Sequence, residues 1–152
     1  MQRTFLSYDR LVGLVSGRIP EGIVLLVVRL ALAGIFWRSG RSKVDEGTWL
    51  TISDSTRYLF ENDYAGVPLP PELAAHLALG AEHLFPVLLV AGVLTRLSAA
   101  ALLGMTLVIQ IFVFPEAWWT THILWAALAG VLIVRGSGVL GADPWLAKMR
   151  RQ

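Results

Sequence analysis

The apolar positions of this chain gather into four long runs, at 20–40, 73–94, 97–114 and 117–134, divided by polar interruptions of unequal length. At 1.5 Å rise per residue, runs of about 20 residues are long enough to cross a hydrocarbon core of about 30 Å as helices. Within lipid every backbone N–H and C=O must find its partner inside the segment, so four apolar helices are expected, not strands. Pro20 suits a first helical turn, where its missing N–H has nothing to lose. Trp37 and Arg38 mark the far end of the first run, and Trp118 and Trp119 open the fourth, where amphipathic rings favour a membrane–water boundary. Thr95-Arg96 and Pro115-Glu116 read as minimal turns between neighbouring helices.

The stretch from Arg41 to Glu72 is the one long connection, and it has internal structure. Ser53-Asp54-Ser55 offers N-caps to a short helix over Thr56–Asn62, and Tyr58, Leu59 and Phe60 give that helix an apolar contact. Val67-Pro68-Leu69-Pro70-Pro71 then holds the backbone extended up to the second run. A connection this long with its own aromatics suits a cover over the bundle. The tail after Arg135 carries Gly136, Gly138 and Gly141 and then Asp143-Pro144-Trp145. With no strand before it and no third glycine opening a helix, Gly136-x-Gly138 is a helix terminator and not a dinucleotide motif. Gly80, Gly92, Gly104 and Gly130 are expected to let helices approach closely. Residues Met1 to Arg18 lack a small-residue cleavage site after a short apolar stretch, so they read as a retained arm lying on the membrane surface.

Composition and charge narrow the class. Hydrophobic residues make up 55% of the 152 and charged residues only 16%, with a mean hydropathy of +0.61, which places the whole chain in one membrane domain, 1–152. Cysteine is absent, which removes disulfides, thiolate-ligated metals and dithiol redox relays. The isoelectric point near 9.4 comes from Lys and Arg flanking apolar runs, not from a basic patch with interleaved aromatics, so nucleic acid is not expected. Those cations set topology instead. Arg3, Arg10, Arg18, Arg96, Arg135, Lys148, Arg150 and Arg151 fall on one side, opposite the acidic long loop and Glu116, giving both termini cytoplasmic and a periplasmic loop between helices one and two.

An Arg inside the first span, a Gly34-x5-Gly40-x2-Lys43 pattern, a Glu inside the second span followed by Gly92-x3-Arg96, and a terminal Gly136-x-Gly138-x4-Asp143 together resemble the DoxX family of small bacterial four-helix membrane proteins. The resemblance runs from about Val28 to Leu146. Here Glu82 is followed by His83-Leu84-Phe85-Pro86, where many members carry glycines. It implies a multi-pass protein of the bacterial inner membrane. Because members include a subunit of a thiosulfate:quinone oxidoreductase, it also implies quinone as cofactor and redox proteins as partners.

The candidate chemistry is intramembrane. Arg29, His76, Glu82, His83, Gln110 and His122 all lie inside the apolar runs, and ionisable groups at that depth face a protein interior and have partners. Pro86 frees the carbonyl of Glu82 and is expected to bend the helix beside the pair Glu82-His83. In one reading Arg29 and Glu82, each near mid-span, form an ion pair pinning helix one to helix two. In the other, the six residues line a loop-side pocket for a quinone head group or small anion, since His and Glu side chains supply hydrogen bonds and a proton route. Haem between His83 and His122 is disfavoured because His122 is the shallower of the two, and no spacing supports a metal site. Two functions stay open: a quinone-interacting subunit of a membrane redox complex, or a non-catalytic scaffold or small-solute permeation component.

Overall fold

The computed structural model describes residues 12–13 and 17–150, so most of the amino-terminal arm lies outside the described residues. From Arg18 to Met149 the described residues form six α-helices: α1 (Arg18–Ser42), α2 (Asp54–Asn62), α3 (Pro71–Ala91), α4 (Thr95–Phe112), α5 (Ile123–Arg135) and α6 (Asp143–Met149). No named strand occurs among the described residues; one isolated bridge joins Val44 to Ile52. At 13 residues α5 is too short to cross a bilayer alone. A 3₁₀ turn at Pro115–Ala117 and a π turn at Trp118–His122 precede it and bring the apolar segment to 21 residues.

The four long segments pack as a closed ring, α1 on α3, α3 on α4, α4 on α5 and α5 back on α1. Each turns one stripe inward at helical spacing: Leu25, Leu32, Ala33 and Phe36 on α1, Leu89 on α3, Ala99 and Leu102 on α4, Ala129 and Leu132 on α5. Outward stand Ile23, Val24, Val27, Leu84, Val87, Leu97, Ile111, Leu124 and Val134, all exposed. No apolar window of the four is more than 33% buried, so most of each faces what surrounds the bundle, and only a bilayer solvates such a surface.

Where α1 and α3 meet decides the fate of the predicted Arg29–Glu82 pair. The two run antiparallel, and Gly40, near the end of α1, sits against Glu82 and His83. Eleven residues earlier, about 16 Å along a helix axis, Arg29 therefore faces the other end of α3. There it is fully buried and donates from Nη1 to the carbonyls of Leu89 (3.2 Å) and Val90 (3.2 Å) and from Nη2 to that of Leu140 (3.1 Å). The expected ion pair does not form. A guanidinium satisfies carbonyls that a helix C-terminus leaves open, with the negative end of the helix dipole in its favour.

The turn after α3 also differs from expectation. The chain breaks at Gly92, with φ of 67°, and Thr95 already belongs to α4. Glycine is required there both by that φ and because a side-chain carbon would strike Arg29 Nη1 and Gly141. The tail folds back onto this turn: Asp143 accepts from the N–H groups of Leu94 (2.8 Å) and Thr95 (3.0 Å) and caps α4 from a distance in sequence. By contrast a Cβ added at Gly80, Gly104 or Gly130 would meet nothing within 4 Å, so these three are not close-approach positions. The tight ones besides Gly92 are Gly22, Gly40, Gly138 and Gly141. Pro86 is buried within an unbroken α3.

Candidate functional site

At the loop end of the bundle, Glu82 is met by the last turn of α1. Ser39 on that turn and Lys43, the residue that caps it, stand four apart, hence on one face, and Gly40 between them lets α3 come close. Lys43 Nζ donates to Glu82 Oε1 (3.0 Å) and to Ser39 Oγ (2.9 Å), and Ser39 Oγ donates to the same Oε1 (3.1 Å). The ammonium also lies 2.9 Å from Oε2, an ion-pair contact without hydrogen-bond geometry, so Oε2 is buried with no hydrogen bond. Glu82 is 1% exposed and Lys43 7%. Burial of both charges is tolerated because each has the other and a hydroxyl besides.

The connection fixes the lysine in place. Lys43 carbonyl accepts from Thr56 Oγ1 (2.9 Å) and Ser53 N (3.1 Å), while Asp45 N donates to Thr51 O (2.9 Å) across the little hairpin closed by Val44 and Ile52. Ser53, the predicted N-cap, accepts from Thr56 N, and α2 starts at Asp54, two residues before the expected Thr56–Asn62. The cap that starts α2 thus also anchors the backbone of Lys43. Beside Glu82, His83 donates from Nδ1 to Leu79 O (2.9 Å), which fixes its tautomer, and its buried Nε2 has no partner. The ring meets Trp37 edge-on at 5.1 Å, and Trp37 in turn touches Trp49, over which the Arg41 guanidinium lies at 4.6 Å.

Glu82 also forms part of the wall of a cavity of about 400 Å³ between α3 and α4. Its sides are apolar, from Ala78 and Ala81 on α3 and Gly104, Met105 and Val108 on α4; the connection closes it through Phe60, Tyr64, Val67 and Leu69. Tyr64 stacks on Phe60 with ring centroids 4.3 Å apart. Burial, with the negative charges of Glu82 and Asp63 adding to it, pushes the Tyr64 hydroxyl up to about 12, so the phenol stays protonated and remains a donor. Glu82 and Tyr64 are thus the polar residues that line an otherwise greasy cleft.

Of the six residues expected to line one pocket, Glu82 alone borders this cavity. His83 lies behind it, packed on α1. Gln110 and His122 form a separate pair, 2.7 Å between Oε1 and Nδ1, with His122 buried in the π turn and against Trp125. Nδ1 is therefore the protonated nitrogen, since the amide oxygen can only accept. His76 is exposed, with Nδ1 2.8 Å from Glu72 O. Arg29 belongs to the opposite end. Lys43, Ser39 and Tyr64 were not among the expected site residues, although Lys43 ended the Gly34-x5-Gly40-x2-Lys43 pattern. The signal was present: a buried carboxylate requires a cation, and the basic residue four beyond a small polar one at the end of α1 could reach it.

The DoxX family profile matches residues 24–115, which takes in most of α1 and all of α2, α3 and α4 and stops short of the tail glycines. A protein of Haemophilus influenzae, itself uncharacterised, is 30% identical over 147 residues, covering 86% of this chain and 88% of its own. No solved structure matches. With the family profile covering more than half of the residues and a relative at that identity matched over most of both chains, the chain belongs to the DoxX family of small membrane proteins.

Proposed function

We propose that this protein is a quinone-interacting component of a bacterial inner-membrane redox assembly, and that the cleft beside Glu82 takes the head group. The observation that carries the reading is Glu82 itself, a buried carboxylate that borders an apolar cavity between two lipid-facing helices and whose Oε2 is held by the ion-pair contact to Lys43 but by no hydrogen bond. An ionised carboxylate oxygen held only by such a contact keeps capacity to accept from a further donor. A quinol hydroxyl is such a donor, and its ring and tail suit the surrounding alanine, leucine, valine and methionine. Tyr64, protonated throughout the physiological range, can donate to a ring oxygen. Lys43 and Ser39 hold Glu82 in place through Oε1, with the ammonium also 2.9 Å from Oε2. A quinone bound there would supply two-electron chemistry to partner proteins; the chain's part is to bind, orient and exclude water. The Lys/Arg distribution further supports a periplasmic loop end and cytoplasmic termini.

A scaffold or permeation component is the competing reading, favoured by the same ion pair, which ties the connection to α3 whether or not a ligand is present. Thermal unfolding of the purified protein with a short-tailed quinol separates them. The quinol should raise the melting temperature of the wild type and not of Glu82→Gln or Tyr64→Phe variants. Equal stabilisation of all three, or none in the wild type, would leave the scaffold reading in possession.

A further inference from the structure

At the opposite end of the bundle, three arginines from three different helices converge on a second cavity. Arg18 opens α1, Arg96 opens α4 and Arg135 ends α5, and all three line a space of about 640 Å³ together with Glu21, Thr95, Leu97 and Asp143. We propose that this cavity binds a phosphate group. The two acids within it are already engaged: Glu21 pairs with Arg135, and Asp143 accepts from the amides of Leu94 and Thr95. Arg18 and Arg96 have no hydrogen bond or ion pair among the described residues. Arg96 is not loosely placed, since its guanidinium lies over Gly136, where an added Cβ would come within 3.4 Å of Nε. Gly136 adopts φ of 74°, which keeps that floor free of a side chain.

Two further features point to an oxygen-rich ligand. Thr95 forms part of the wall, is fully buried, and its Oγ1 has no hydrogen-bond partner. The next two amides of the 18-residue α4, those of Arg96 and Leu97, precede the first intrahelical bond made by Ser98 and lie at the positive end of the helix. A forked guanidinium, a hydroxyl and free amides are the groups that hold a tetrahedral dianion or diester. The same chemistry serves a phospholipid head group entering from the leaflet or a soluble phosphate entering from water.

Melting of the full-length protein in detergent tests this, with short-chain phosphatidylglycerol against short-chain phosphatidylcholine, and inorganic phosphate against chloride at equal ionic strength. Stabilisation by phosphatidylglycerol alone identifies a lipid head group. Stabilisation by inorganic phosphate identifies a soluble source. Either shift should vanish in Arg18→Gln/Arg96→Gln and persist in Lys148→Gln/Arg150→Gln, which removes as much charge from the tail outside this cavity. Persistence in the first variant, equal loss in both, or no shift with either probe in the wild type overturns the site. Should the first variant not fold, Thr95→Val decides: it should raise the half-saturating concentration several-fold, and an unchanged value rejects the proposal.

Discussion

Lys43 and Glu82 show how one pair of side chains can be legible separately and missed as a pair. The carboxylate stood out because it interrupts an apolar run, whereas the lysine sat among the polar residues of a connection, where cations are ordinarily solvated. What buries it is the hairpin closed by Val44 and Ile52, together with the Ser53 and Thr56 contacts to its carbonyl, none of which spacing alone reveals. Replacing one partner, as Lys43→Met or Glu82→Leu, should cost about 3–5 kcal/mol because the other charge stays buried alone. The double variant should recover most of that loss, and denaturation of all four proteins in one detergent measures the coupling. Tyr64 allows a pH test. Its folded value of about 12 lies above the ordinary 10.0, so the folded state holds the phenolic proton more tightly than the unfolded state. That contribution is complete below pH 10, falls as pH rises toward 12, and should be missing from Tyr64→Phe. Ultraviolet titration should accordingly show one tyrosine ionising late in the wild type and none in the variant.

At the scale of helices, the hydropathy pattern located all four spans to within a few residues, because a bilayer imposes a length and an apolar surface that any sequence must display. It did not locate the register between them. Arg29 and Glu82 each looked mid-span, yet the last turn of α1 packs on the middle of α3, and this offset sends Arg29 to the carbonyls at the end of α3. The glycines carried that information unevenly. Gly40 and Gly92 mark close approaches, while Gly80 and Gly104 border open space, a distinction that depends on which face each presents. Gly40→Val should therefore push Glu82 and His83 away and cost about 1–3 kcal/mol. Gly80→Ala should be neutral or stabilise by up to about 1 kcal/mol through helix propensity. Melting temperatures of the two variants, moving in opposite directions or with only the first falling, would bear out the register.

For the whole molecule, the arrangement is a ring of four spans with chemistry at both ends: a carboxylate–ammonium pair beside a greasy cleft at the loop end, and arginines around a second cavity at the tail end. Membership of the family and the bundle were both readable from hydropathy and short motifs. Which intramembrane groups meet was not, since Gln110 with His122 and Glu82 with Lys43 are joined by tertiary packing alone. The proposed orientation rests on the charge count alone. Because the chain has no cysteine, single cysteines at Asp63 and Lys148 can be probed in whole cells with an impermeant thiol reagent. Position 63 should label and position 148 should not; the reverse would invert the topology.

The proposed function requires a quinone in the cleft between α3 and α4 beside Glu82. A photoreactive short-tailed quinone, activated on the purified protein and mapped by peptide mass spectrometry, tests it most directly. Labelling should be confined to the cavity wall, at Ala78, Ala81, Met105, Val108 or Tyr64, displaced by unlabelled quinone and lost in Glu82→Gln. Labelling instead in the outer groove of Leu30, Gly34, Val87 and Val90, or labelling of the wall that competitor and Glu82→Gln leave unchanged, would contradict it.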